Sequence, residues 1–240
     1  MTIAARLDVR VVLVACALLA GVAGAGRAQE TDDQFWPEID TYVRLNHHAR
    51  LFFLLAPVKE AGAESFDDTQ IGAHFEFGVA PHARKHLVEA YDADQLRYLR
   101  ASVGYRETFE LGGDDDTVSE RRVVTDLTPR FFLPWELLVA QRNRVDYRWI
   151  EGQEYSWRYR PRVWVERQSK IGSVKLVPHA AVELYYDSRY DSWERTEYRA
   201  GLSVPVALWF VPQAYYTRQV DREPTKKYTN ALGVIATLYF

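Results

Sequence analysis

The chain of 240 residues contains one cysteine, Cys16, and one methionine, Met1. Because a single cysteine cannot form an internal disulfide, the fold must be held together by packing or by a closed hydrogen-bonded sheet. The mean hydropathy of −0.31 excludes a multi-span helical membrane protein, which needs several apolar runs of about 20 residues. The formal charge of −3 gives no electrostatic case for nucleic-acid binding. The hydrophobic content of 48% excludes a disordered chain.

Residues 1–28 have the composition of a secretory signal peptide. A basic start is followed by an apolar stretch at 11–25, and Gly26 and Ala28 supply small residues at the two positions that signal peptidase recognises. The apolar stretch has about 15 residues, which is short for a membrane-spanning helix. The sequence therefore predicts an exported protein cleaved after Ala28. A weak lipoprotein box that ends at Cys16 is the alternative.

The mature part, 29–240, is predicted to be one domain made of β-strands. Apolar and polar residues alternate throughout it in segments of about 11–14 residues, longer than the ~5–6 typical of soluble strands. Transmembrane strands need about 9–11 residues. The predicted strands are 34–46, 48–58, 70–81, 96–109, 121–133, 137–149, 155–168, 174–187, 196–206, 208–220 and 228–240. Since bacterial single-chain barrels have even strand numbers, we expect an all-β, transmembrane, antiparallel up-and-down β-barrel of ten or twelve strands.

The predicted connections alternate between short and long. Short turns are predicted at 46–47, 134–136, 170–173 and 207, and longer polar connections at 59–69, 110–120, 188–195 and 221–227. Short turns at one rim and long loops at the other are typical of outer-membrane barrels. The charged stretch 82–95 does not fit this pattern, and it is either an excursion at the short-turn rim or an additional strand.

Alternation alone does not distinguish a lipid-facing barrel from a soluble sandwich, because both have one apolar and one polar face. Aromatic residues near the segment ends favour a lipid-facing barrel, since Trp and Tyr are enriched at membrane interfaces: Trp149, Trp157, Tyr186, Tyr198, Tyr216 and Tyr228. The last segment ends on Phe240 with Leu238 on the same face, the usual insertion signal for the barrel-assembly machinery of Gram-negative bacteria. A soluble periplasmic β-barrel that binds an apolar ligand is the alternative.

Charged residues fall on the face opposite the apolar residues, which in a membrane barrel is the lumen. This predicted charge ladder comprises Arg100, Arg106, Arg122, Asp126, Arg130, Arg142, Arg144, Asp146, Arg148, Arg158, Arg160, Arg162, Glu166, His179, Glu183, Asp187, Glu197 and Arg199. Guanidinium groups can bridge carboxylates of neighbouring strands, so the ladder can fill and brace a narrow barrel as a structural plug. Alternatively, eleven arginines against six acids indicate a narrow path or binding surface for small anionic solutes.

Several short motifs carry a resemblance to a known family: Gln34-Phe35-Trp36-Pro37-Glu38-Ile39, Val103-Gly104-Tyr105-Arg106, Glu120-Arg121-Arg122, Arg142-x-Arg144-x-Asp146-x-Arg148, Tyr159-Arg160-Pro161-Arg162, the strand that contains Glu183, Tyr198-Arg199-Ala200-Gly201-Leu202 and the terminal Phe240. Together they resemble an uncharacterised family of bacterial outer-membrane β-barrel proteins, a domain of unknown function, over nearly all of 34–240. Asp146 departs from this pattern, which would have Glu there. The resemblance implies an exported outer-membrane barrel and supplies no catalytic residues.

The search for catalytic residues finds one weak arrangement. His179, Glu183 and Asp187 recur at every fourth position of one strand face, about 13 Å apart, which is too far for direct contact. No serine joins them in a recognisable motif. We therefore expect no catalytic residues, with an outer-membrane enzyme that modifies lipids as the alternative.

No metal or cofactor site is predicted. Asp114-Asp115-Asp116 lacks the spaced ligands of a calcium loop, and His47 and His48 point to opposite sides if they lie on a strand. Phosphate-binding and dinucleotide-binding glycine patterns are missing from the sequence. The expected partners are outer-membrane lipid, the barrel-assembly machinery during insertion and, in the alternative interpretation of the ladder, small anionic solutes.

Overall fold

The computed structural model describes residues 31–60, 68–82, 97–110, 119–222 and 227–240, and these form twelve β-strands and one turn of 3-10 helix, Pro134–Glu136. The strands are β1 Thr31–Arg44, β2 Ala49–Glu60, β3 Asp68–His82, β4 Arg97–Glu110, β5 Glu120–Leu133, β6 Leu137–Ile150, β7 Ser156–Arg167, β8 Ser169–Ile171, β9 Val174–Asp187, β10 Ser192–Ser203, β11 Phe210–Asp221 and β12 Lys227–Tyr239. No helix in these ranges is long and apolar enough to cross a membrane. The predicted signal peptide, the acidic run 114–116 and residues 83–95 lie outside the described residues.

Eleven of the twelve strands close into a barrel wall. Each wall strand pairs with the next along the chain, β7 pairs with β9, and β12 returns to pair with β1. All these pairings are antiparallel except β1–β12, which is parallel and places Thr31 opposite Tyr228 and Tyr42 opposite Tyr239. In a closed wall with an odd number of alternating strands, the first and last must run in the same direction. The short strand β8 lies outside the wall and forms a hairpin with the start of β9.

The predicted fold class, an all-β barrel, is confirmed. All eleven predicted segments coincide with the wall strands to within four residues at each boundary. The even-number rule led us to expect a barrel of ten or twelve strands. The described residues form twelve strands, and eleven of them close the wall. The parallel β1–β12 pairing is what permits the odd number, and it is the one departure from the predicted antiparallel arrangement. Strand β8 overlaps the predicted turn 170–173 and is the twelfth strand, outside the wall.

The two ends of the barrel are named here by the residues that mark them. The Thr31 rim is the end at which β1 begins, and the Phe240 rim is the end at which β12 finishes. The predicted short turns between β1 and β2, between β5 and β6, and between β10 and β11 all lie at the Phe240 rim. At the Thr31 rim, however, the connections 151–155 and 188–191 are also short. The second is shorter than the predicted 188–195 because β10 begins at Ser192. The contrast in loop length between the rims is therefore weaker than predicted.

The outer surface of the wall is apolar. Every wall strand carries at least one large apolar or aromatic side chain that is more than a third exposed, for example, from β1 to β12, Ile39, Phe53, Phe75, Val103, Leu127, Trp149, Val163, Val182, Tyr198, Tyr216 and Leu232. The interior is polar, and its most deeply buried side chains include Glu183, Asp146 and Asp187. Alternation along the strands, interrupted by register shifts in the β3–β4 and β9–β10 pairs, separates these two surfaces.

At one position inside the wall, a glycine lies directly under an aromatic ring. A Cβ at Gly233 of β12 would lie 2.0 Å from Cζ of Tyr215 on β11, and Arg199 covers the other side of the same ring at 4.0 Å. The ring thus fills the space that a side chain at Gly233 would need.

We expect Gly233→Ala to lower the free energy of unfolding by about 1–3 kcal/mol, because Tyr215 must move to admit the methyl group. Equilibrium urea unfolding of the purified barrel measures this change. In a Tyr215→Ala background the same glycine substitution should have a much smaller effect. An equal loss in both backgrounds would show that the ring is not the cause.

Candidate functional site: the charged barrel interior

The barrel encloses a cavity of about 710 Å³ that is lined by side chains from all eleven wall strands. The lining extends from Trp36 and Gln219 near the Thr31 rim to Ser203 and Tyr239 near the Phe240 rim. Thirteen arginines take part in it: Arg50, Arg100, Arg106, Arg122, Arg130, Arg142, Arg144, Arg148, Arg158, Arg160, Arg162, Arg195 and Arg199. Arginines therefore outnumber acids in the cavity lining.

All members of the predicted charge ladder lie on the inner side of the wall. Its eleven arginines, Glu166 and Glu197 line the cavity. The other five, Asp126, Asp146, His179, Glu183 and Asp187, are buried between them. Period-two alternation thus places these side chains on the side that the sequence analysis assigned to them.

Glu183 on β9 is the centre of a group of three ion pairs. Its Oε1 accepts hydrogen bonds from Nη2 of Arg142 at 2.6 Å and from Nε of Arg160 at 2.9 Å. Its Oε2 accepts from Nε of Arg162 at 2.6 Å. The register explains this convergence, since Arg162 of β7 lies opposite Glu183 and Arg142 of β6 lies opposite Arg162. One buried carboxylate therefore joins three strands.

Asp187 joins three arginines in the same way near the Thr31 rim. Its Oδ2 contacts Nη1 of Arg148 at 2.6 Å and Nη2 of Arg158 at 2.9 Å. Arg189, in the turn that follows, donates to the same oxygen from Nη2 at 3.1 Å and to Oδ1 from its backbone nitrogen at 2.9 Å. Asp187 thus connects the turn after β9 to strands β6 and β7.

Two further buried acids pair with the arginines between these centres. Asp146 accepts a hydrogen bond from Nη1 of Arg160 at 3.1 Å. Asp126 accepts from Nη2 of Arg144 at 3.1 Å and from the Ser102 hydroxyl at 3.3 Å. Charge-assisted contacts of this kind repay part of the cost of burying ionised groups, so the network is stable only while its members stay paired.

Sequence reasoning missed several interior charges. Arg50 and Arg195 line the cavity, and the acids Glu38, Asp40, Glu76, Glu120 and Glu194 also lie inside the barrel. Most of these could have been found from the alternation, because they share the polar face of their strands. The additional acids make the surplus of positive charge smaller than the ladder alone indicated.

His179 is part of the packed interior. Its ring stacks on Trp164 with centroids 4.3 Å apart, and Nδ1 lies 3.3 Å from the backbone oxygen of Val177. Trp164 in turn donates from Nε1 to Glu166 at 2.8 Å. Neither Glu183 nor Asp187 contacts the His179 ring among the described hydrogen bonds. The predicted spacing along β9 therefore does not assemble a catalytic group there.

Leu238 and Phe240 lie at the end of β12 at the Phe240 rim. Phe240 is anchored to β1, since its nitrogen donates to the Tyr42 oxygen at 2.8 Å and its oxygen accepts from the Arg44 nitrogen at 2.7 Å. Its side chain is exposed. Their role as an insertion signal stays a prediction.

No family model, curated protein or solved structure matches the chain. The resemblance to an outer-membrane β-barrel family therefore stays a prediction. Within the ranges that the structure describes, no group of three or more His, Cys, Asp or Glu residues is arranged to hold a metal ion.

Proposed function

We propose that the protein is an outer-membrane β-barrel whose ion-paired interior leaves a narrow polar path for small anionic solutes. The observation that carries this proposal is the distribution of charge across the wall. Large apolar side chains are exposed on every wall strand, whereas ionised side chains are buried inside. A soluble barrel in water gains stability from the opposite arrangement, and extended exposed apolar surfaces mark contact with a membrane or a partner.

Aromatic side chains near the Thr31 rim support the membrane placement. Trp149 packs against Tyr155 with ring centroids 5.5 Å apart, and Tyr186 packs against both Trp157 at 5.4 Å and Trp193 at 5.7 Å. All five side chains are at least partly exposed. Amphipathic rings of this kind favour the boundary between acyl chains and head groups.

The interior supports a narrow path over the alternatives. Ion pairs centred on Glu183 and Asp187 cross between strands and occupy much of the space that a wide pore would need. An apolar ligand would meet a cavity lined by thirteen arginines, which favours polar and anionic solutes instead. The described interior also offers no arrangement that favours lipid hydrolysis.

Membrane placement is tested by cell fractionation and gel migration. We expect the protein in the outer-membrane fraction, resistant to carbonate extraction, and running faster on a gel before boiling than after it. Release by carbonate together with a single band at both temperatures would contradict the proposal.

The solute path is tested by planar-bilayer recording with the purified protein. We expect a small current that favours chloride over potassium, because arginines outnumber acids along the cavity. A current as large as that of a 16-stranded porin would contradict the narrow lumen, and cation selectivity would contradict the anion path.

A further inference from the structure

Several arginines of the barrel interior lie directly opposite one another on neighbouring strands. These pairs are Arg106–Arg122, Arg122–Arg148, Arg144–Arg160 and Arg142–Arg162. Like charges directly opposite each other in a sheet are destabilising, and an anion close to such a pair relieves the repulsion.

Three of the four pairs have such an anion. Glu183 contacts both Arg142 and Arg162. Glu120 contacts both Arg122 and Arg148. In the third pair, Arg144–Arg160, each arginine has its own acids. Arg160 contacts Glu183 and Asp146, and Arg144 contacts Asp126.

The fourth pair, Arg106–Arg122, has no carboxylate between its members. Arg106 donates from Nε to His74 Nε2 at 2.9 Å and from Nη1 to the Gln70 oxygen at 2.8 Å, and both acceptors are uncharged. Among the described residues, no carboxylate lies within ion-pair distance of Arg106.

Arg122 is only partly satisfied by its own neighbours. It donates from Nη2 to the Thr108 hydroxyl at 2.7 Å. Its Nε lies 3.7 Å from Glu120, is buried and has no hydrogen-bond partner. Glu120 is also in closer contact with Arg148. Asp146 attracts both guanidinium groups and Asp40 attracts Arg106, but neither acid forms an ion pair with them, so the positive charge of the Arg106–Arg122 pair is only partly compensated.

We propose that Arg106 and Arg122 form a binding site for an oxyanion, either a free phosphate-like ion or the phosphate or carboxylate group of a solute. This proposal rests on the proposed function, because it places the site on the anion path. Both side chains line the cavity, as do Gln70 and Thr108, which lie opposite each other beside them. Guanidinium groups bind such anions with paired, charge-assisted hydrogen bonds.

Acidic groups limit where the anion can lie. Glu38 and Asp40 of β1 line the same cavity, with β2 and β3 between them and Arg106. They repel an anion from the β1 side of the lumen, and Glu120, opposite Thr108 at the start of β5, repels it from the Thr31 end of the site. The favourable position is consequently against β4 and β5.

The test measures phosphate binding to the full barrel, purified in detergent, by calorimetry and by the rise in thermal stability that a ligand of the native state produces. We expect inorganic phosphate to bind the native protein and Arg106→Gln or Arg122→Gln to weaken that affinity about tenfold or more. Arg121→Gln is the matched control. Arg121 is adjacent to Arg122 in the chain but is exposed and pairs with Glu107, so its replacement should leave binding unchanged.

Gel migration before and after boiling establishes that each variant is folded. Arg106→Gln leaves no carboxylate unpaired, so folding should persist. Absence of phosphate binding to the native protein, or equal weakening by Arg121→Gln, would overturn the site.

Glycerol phosphate is the second probe, and tighter binding of it than of inorganic phosphate would assign the site to a phosphorylated solute. If the protein fractionates with the outer membrane yet binds neither probe, the site fails alone. If carbonate releases a protein that still binds phosphate, the membrane proposal fails instead.

Discussion

Replacing Glu183 by glutamine should lower the free energy of unfolding by about 3–5 kcal/mol. Glutamine has nearly the same shape, but it removes the negative charge that holds Arg142, Arg160 and Arg162. The Glu183 side chain is 1% exposed, so water cannot replace the lost charge. Three guanidinium groups would then repel one another in a buried space, which is costlier than the loss of one hydrogen bond.

Equilibrium urea unfolding in detergent, followed by tryptophan fluorescence, measures this effect. Glu107→Gln is the matched control, because Glu107 also pairs with an arginine but its side chain and that of Arg121 are 32% and 63% exposed. Exposed pairs contribute roughly 0–1 kcal/mol. If the two variants lost similar stability, the network around Glu183 would be hydrated and would not brace the wall.

Much of the fold could be predicted because the controlling pattern is local. Alternation of polar and apolar residues sets which side chains face inward, and it can be followed along any single strand such as β9. Closure of the barrel is not local. It depends on β1 and β12, at opposite ends of the chain, where Asn230 donates to Asp33 at 3.1 Å across the parallel pair. Nothing in either segment alone indicates parallel pairing.

The sequence predicts which charged side chains face the interior, but it does not predict which of them form ion pairs with one another. Arg142 reaches Glu183 across the whole width of β7, so the pair could not be read from neighbouring strands. Glu194 was missed for a different reason, since it lies in the predicted connection 188–195, whereas β10 begins at Ser192. The register of β10 shifts between Trp193 and Arg195, so the alternation is interrupted and Glu194 turns inward to contact Arg158 at 2.7 Å. A bulge of this kind has no strong sequence signal.

The outer surface gives the second large prediction, which separates a membrane barrel from a soluble one. Val103 lies near the middle of β4 and is 50% exposed, and its neighbour Phe75 on β3 is exposed on the same surface. If this surface contacts acyl chains, Val103→Arg should destabilise the inserted barrel by about 2–4 kcal/mol and reduce the amount recovered in the outer membrane. On a surface in water, the same substitution should change stability by less than about 0.5 kcal/mol.

Val206→Arg is the control, because it tests whether the cost of an arginine depends on its depth in the membrane. Val206 is even more exposed than Val103, but it lies in the connection after β10 at the Phe240 rim. An arginine near the membrane boundary costs only about 0–1 kcal/mol because its charged end can reach water. Unfolding in phosphatidylcholine bilayers and recovery from the membrane fraction should therefore show a large loss for Val103→Arg and little for Val206→Arg. Equal tolerance of both substitutions would mean that the apolar band faces water, and the charged interior would then belong to a soluble barrel.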